Sequence, residues 1–259
     1  MNEFSYRKYV EIVSSLRKSR DLIDYSDVSA NTRGFLIIRH DIEYSMARAL
    51  SLAKIENDND IKSTYFVQIR NNNYNALSEE NIEICKSIQG LGHNIGLHVH
   101  LGSEKTKNLL SEKDVSNIVM RDSKVLSSYL EMNITLFSYH RPTKRILTFD
   151  KNYGGSINAY GPAYFTLREN CNTIEKSEAK YVSDSNHRWK YGHPFDDNIY
   201  NFKKIQLVTH PFSWSEKGLA NKDNFLSLIH EKSWDAVNFI DQEISSFPKE
   251  FLDKTKRVS

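Results

Sequence analysis

Short apolar runs alternate along this chain with longer stretches in which apolar side chains recur every three or four positions. Phe35-Leu36-Ile37-Ile38 is the clearest short run and reads as a strand buried on both faces. The first long stretch, 4–17, spaces Tyr9, Val10, Ile12, Val13 and Leu16 as a helix does and predicts a cap packed on the domain. The same reading gives a helix near 45–57 with Met46, Leu50 and Ala53 on one face, a strand at Ile61–Ile69, and a helix capped by Ser78 that ends at Gly90 or Gly92. A strand at 94–99, a long helix at 112–130 and a strand at Ile134–Tyr139 follow. After breaks at Gly154-Gly155 and Gly161-Pro162 come short strands at Tyr164–Leu167, Tyr181–Ser183 and Ile205–Val208, then a closing helix near 223–245 carrying Phe225, Ile229, Val237, Ile240 and Ile244. Strands alternating with helices predict a largely parallel sheet, open or closed into a barrel. No repeat or linker divides the chain, so one domain is expected over 1–259, with its core at about 33–245.

Composition narrows the partners. Of 259 residues, 39% are apolar, enough to fill a core, and 35 basic residues face 33 acidic ones for a net charge of +2. No basic block stands apart, which argues against nucleic acid as a partner. Cys85 and Cys171 are too few for a disulfide framework and fit a reducing compartment. No stretch reaches the length of a membrane span and the N-terminus lacks an apolar signal region; a cytoplasmic protein is expected, of oligomeric state that the sequence does not give.

Chemistry gathers at predicted strand ends. Asp41 and Glu43 close the first strand, His98 and His100 the third, His140 and Arg141 the fourth; Asp184 follows the Tyr181 strand and His210 ends the last. In a parallel α/β architecture those ends share one face. Residues i and i+2 of extended chain point the same way, so Asp41 with Glu43, and His98 with His100, could converge on one ion. Carboxylate plus imidazole with open positions suits zinc, with cobalt, manganese or nickel as alternatives. Taken singly, each group has an ordinary reading as a helix cap, a core histidine or a solvated acid.

Five segments carry a family resemblance. Arg39-His40-Asp41-Ile42-Glu43, Gly92-His93-Asn94-Ile95-Gly96-Leu97-His98, His140-Arg141-Pro142, Asp184-Ser185 through Trp189, and Val208-Thr209-His210-Pro211 resemble, in order, the five motifs of the polysaccharide deacetylases (NodB-homology domain, carbohydrate esterase family 4). The resemblance covers about 35–211. It implies an irregular (β/α) barrel, Asp41 as general base, Glu43 and His98 as metal ligands, Arg141 holding the base, Asp184 tuning a partner group and His210 as general acid. Two departures stand out: Glu43 replaces the family's Asp, and Gly102 stands where the family has its second histidine. His100 is the expected replacement ligand, with His140 in reserve.

On this basis the expected activity is metal-dependent N-deacetylation of an acetamido sugar or polysaccharide precursor. Trp189 and Trp214 would be platforms for the sugar, or simply core. A non-catalytic glycan- or protein-binding relative, and a hydrolase of another C–N amide, are the other readings.

Overall fold

The computed structural model describes residues 3–166 and 178–255. Seven parallel strands form one sheet: β1 (Phe35–Asp41), β2 (Thr64–Val67), β3 (Asn94–Val99), β4 (Leu136–Tyr139), β5 (Ile157–Asn158), β6 (Ala179–Ser183) and β7 (Lys204–Thr209). Their order is β5-β4-β3-β2-β1-β7-β6, so the earliest strand lies in the interior of the sheet, paired with β7 over six positions and with β2 over three. The helices are α1 (Tyr6–Leu16), α2 (Met46–Asn57), α3 (Glu79–Gly90), α4 (Glu104–Leu109), α5 (Glu112–Leu130), α6 (Lys144–Leu147), α7 (Asp197–Tyr200), α8 (Asn221–Glu243) and α9 (Glu250–Thr255). The architecture is an irregular (β/α) barrel.

Alternation along β1 divides the core. Leu36 and Ile38 pack outward with Tyr9, Ile12, Val13 and Leu16 of α1. Phe35 and Ile37 face inward, where they meet Tyr25, Phe66, Leu136 and Tyr164. A third cluster joins β2, β3 and β4 to α3 and α5 through Val67, Leu97, Phe137, Cys85 and Leu126. Fully burying an aliphatic side chain of this size contributes about 1.5–3 kcal/mol, and β1 is buried at every position. Among the described residues no backbone pairing joins β5 to β6, and side chains span that gap: the Gln206 amide on β7 donates to the carbonyls of Ala159 (3.0 Å) and Tyr164 (2.9 Å).

Two expectations need correction. The short strand at Tyr164–Leu167 does not form over 164–166, because the amides of Tyr164 and Phe165 both turn back onto the Gly161 carbonyl; Leu167 lies outside the described residues, as does Cys171. Ile157–Asn158 takes the pairing with β4 instead. The closing helix exposes much of its expected apolar face, with Ile229, Ile240 and Ile244 at 57%, 43% and 50%. Its attachment is polar: Arg48 of α2 reaches Glu231 at 2.8 Å and Asn224 Oδ1 at 2.9 Å. Cys85 is buried and unpaired. No helix among the described residues is long and apolar enough to cross a membrane.

Candidate active site

The loop after β1 carries Glu43, and the loop after β2 holds it in place. The Asn71 and Asn73 amides donate to the Glu43 carbonyl at 3.0 and 3.1 Å, and the Tyr74 hydroxyl to the Ile42 carbonyl at 2.8 Å. Two strands over, β3 points His98 inward, buried, with Ser138 of β4 beside it in register. Ser138 Oγ lies 2.8 Å from His98 Nδ1; with the ring proton held on that edge, Nε2 keeps its lone pair for the opposite side. That nitrogen is 3.2 Å from His140 Nδ1, which is itself 3.2 Å from Glu43 Oε1. Glu43, His98 and His140 present ligating atoms that all lie within 4.8 Å of one another.

This donor set fits a divalent transition metal. Nitrogen and oxygen donors bound at about 2.0–2.1 Å in a tetrahedral array stand roughly 3.3–3.4 Å apart, close to the two separations of 3.2 Å. One carboxylate and two imidazoles leave room for water or substrate, as a catalytic rather than a closed structural site requires. Charge states agree. Burial alone would raise the Glu43 carboxyl, but the hydrogen bond from His140 and the nearby His210 and His98 bring it down to about 2. Burial brings His98 down to about 3, against the pull of Asp41, which leaves its imidazole neutral as a ligand must be.

His100 is not in this group. β3 ends at Val99, so the alternation that would have aligned His98 with His100 stops one residue short. The His100 ring stacks on His140 with centroids 5.3 Å apart, and its Nδ1 accepts from the Gly102 amide at 3.2 Å. His140 stands in the place expected of it.

Asp41 faces inward, 3.8 Å from His98 Nε2. Its guanidinium partner is Arg39, not Arg141. Arg39 Nε and Nη2 reach the two carboxylate oxygens at 2.8 and 2.9 Å from two residues back on the same strand face. Fully buried, Arg39 also donates to Gln206 and Tyr160 and lies over the rings of Tyr160 and Phe66. Burial alone would raise the Asp41 carboxyl; the Arg39 charge overrides it and holds the group well below the usual carboxylate range. Arg141 sits past the end of β4 with a left-handed backbone (φ +46°) and turns to the surface cavities. The i, i+2 rule that paired Asp41 with Glu43 applies equally to Arg39 and Asp41, and was the signal for the residue that sequence reasoning missed.

His210 follows β7, buried, with Nδ1 2.6 Å from Asp184 Oδ1. The other Asp184 oxygen accepts from the His210 amide at 3.1 Å and from Trp214 Nε1 at 2.8 Å. Burial alone would lower the His210 imidazolium, but Asp184, with Glu43 and Asp41 beyond, pushes it up to about 9. Trp214 is therefore no sugar platform: it is fully buried against Phe4 and Tyr9. Trp189 donates to Glu3 at 2.7 Å and packs on Phe4. Neither tryptophan lines the two cavities at the site, of about 450 and 610 Å³, which share His100, His140 and Arg141 as a common wall.

No protein-family model matches the chain, and no curated protein does. Among solved structures, a CE4 family pseudoenzyme from Bacillus anthracis superposes with a TM-score of 0.45 at 11% identity, over 82% of this chain and 68% of that one. The chitin deacetylase of Colletotrichum lindemuthianum gives 0.43 at 12%, over 76% and 81%, and a family 4 carbohydrate esterase from Streptomyces lividans gives 0.41 at 13%, over 77% and 89%. At such values no residue's role passes from those proteins to this one. The chain is similar in structure to members of carbohydrate esterase family 4, enzymes and a pseudoenzyme among them.

Proposed function

We propose that the chain is a metal-dependent N-deacetylase of an acetamido sugar. The observation that carries this reading is the convergence of Glu43, His98 and His140 between a carboxylate held ionised by Arg39 and an imidazolium held by Asp184. Amide hydrolysis requires a proton to leave water and a proton to reach the departing nitrogen. Asp41 is the group for the first transfer: Arg39 occupies one lone pair on each of its oxygens, and the others remain for a water. His210 is the group for the second, since at neutral pH it is protonated. A divalent metal, zinc or alternatively cobalt, manganese or nickel, would be held by Glu43, His98 and His140 and would polarise the acyl oxygen. The products are acetate and the free amino sugar.

One feature favours a second reading, a non-catalytic glycan-binding relative. A carboxylate gripped at both oxygens by a buried guanidinium is a weak base, and a weak base transfers protons inefficiently.

Acetate release separates the two. The zinc-loaded protein should liberate acetate from N-acetylated sugars, and His210→Ala should cut that rate by about two to four powers of ten. An activated acetate ester, whose nitrophenolate leaves without protonation, should lose far less. Equal losses on both substrates would remove His210 as the acid. No acetate from any acetamido sugar would leave the binding reading.

A further inference from the structure

The wall shared by the two cavities carries a guanidinium, Arg141, to which the deacetylase reading gives no task. Arg141 lines both cavities, is exposed, and its guanidinium has no hydrogen bond or ion pair among the described residues. Its backbone is held in a conformation that an L-residue avoids, the more so before a proline. Lys107 of α4 stabilises that turn. Almost fully buried, its ammonium donates to the His140 carbonyl at 3.2 Å and the Arg141 carbonyl at 2.7 Å. A solvated arginine needs no such clamp. The clamp fixes two successive side chains at once, the His140 imidazole toward Glu43 and His98 and the Arg141 guanidinium toward the cavities.

Other charges nearby have the same sign. Arg70, on the loop after β2, lines the smaller cavity and donates to the His100 carbonyl. Its acidic partner, Asp122 at 3.4 Å, is shared with Arg121 at 2.7 Å, so two guanidinium groups face one carboxylate. Of the acids that line the cavities, Glu43 belongs to the metal triad and Glu104 stands alone against Lys107 and Arg141. The Gln68 and Asn72 amides supply neutral contacts in the smaller cavity. A neutral glycan would bring nothing to neutralise this wall.

We propose that the substrate is an acetamido sugar bearing an anionic group, phosphate or carboxylate, bound by Arg141 with Arg70 in support. This rests on the deacetylase reading of the same site and names its substrate class. Arg141 is then a specificity-determining residue. Its fork donates to two oxygens of the anion while the acetamido group lies at the metal triad.

The test compares three sugars on the zinc-loaded protein: a methyl N-acetylglucosaminide, a nucleoside-diphosphate-linked N-acetylglucosamine, and N-acetylmuramic acid. At least one anionic sugar should exceed the neutral one in kcat/KM by about tenfold to a hundredfold, the scale of a charge-assisted contact, and which of the two does so tells phosphate from carboxylate. Arg141→Gln should shrink that ratio to within about threefold, chiefly through KM for the anionic sugar, and Arg141→Lys should recover part of it. Raising ionic strength should weaken the preference in the wild type. A neutral sugar turned over as well as both anionic ones, or an Arg141→Gln effect equal on all three, would overturn the proposal. If no sugar is deacetylated, the deacetylase reading fails, and calorimetric titration of the same three sugars decides this proposal separately. Tighter binding of an anionic sugar that Arg141→Gln abolishes upholds Arg141 as the anion contact of a sugar-binding site, and equal or absent binding of all three overturns it.

Discussion

β1 separates two clusters of histidine and carboxylate, one on each face. Outward, Glu56 is fully buried on α2 and accepts from the hydroxyls of Tyr9, Ser63 (2.7 Å) and Tyr65 (2.6 Å) and from His40 Nε2 (3.0 Å), with His93 Nδ1 at 3.6 Å. His40 is engaged at its other nitrogen by Thr209 at 2.7 Å. Every group there has a partner, and the space around it is filled by Tyr9, Tyr65 and His93. Inward, Glu43, His98 and His140 point ligating atoms at one another across a shared gap, beside open cavities. The residue types are the same on both sides. Satisfaction and access distinguish a structural network from a candidate ligand site: a carboxylate with four donors has little left for a cation, whereas three ligating atoms within 4.8 Å of one another could hold one.

The contrast can be broken from the outward side first. Glu56→Ala would orphan two tyrosine hydroxyls, a serine and an imidazole in the core, and should destabilise the fold by about 3–5 kcal/mol. Urea unfolding reads this as a lower midpoint. Metal bound per folded chain should stay as in the wild type; loss of metal from folded protein would mean that the two faces are not independent.

On the inward side, Asp41→Asn should retain metal and fold yet lose at least about a hundredfold in turnover, the scale of a removed general base. If Asp41→Asn strips the metal while Glu43→Gln does not, the two carboxylates have exchanged roles.

A smaller effect concerns pH. His210 is raised in the fold to about 9 from an ordinary 6.5. The stability it contributes is complete below about 6.5 and is lost as pH rises through about 9. Turnover should fall through the same upper limb as the acid deprotonates. Asp184→Asn removes the largest source of the upward shift and should move that limb to lower pH, a displacement that a pH–rate profile measures directly. An unmoved limb would assign it to another group.

How much of this was legible without coordinates differs from residue to residue. The order of strands and helices was readable because short apolar runs such as Phe35-Leu36-Ile37-Ile38 in β1 alternate with helically spaced apolar residues such as Val115, Val119, Leu126 and Leu130 in α5. The grouping of Asp41, Glu43, His98, Asp184 and His210 at strand C-termini followed from the parallel topology. The choice of His140 over His100 did not, because it depends on β3 ending at Val99 and on a left-handed turn at Arg141. Arg39 was overlooked near the end of a strand that otherwise reads as apolar, although its i, i+2 spacing to Asp41 pointed to the pair that the structure shows. Trp214 was misplaced because its burial comes from Tyr9 of α1, about two hundred residues away in sequence. The two-residue β5 is too short to carry any periodicity.

The central claim is that Glu43, His98 and His140 hold a divalent metal and that His100 does not. Metal content by elemental analysis, on protein purified without chelator and then saturated with zinc and desalted, tests it most directly. The account predicts one equivalent per chain in the wild type and in His100→Ala, and a loss of most of it in His98→Ala and His140→Ala. A wild type without metal after saturation, or a His98→Ala protein that keeps its full equivalent, would contradict it.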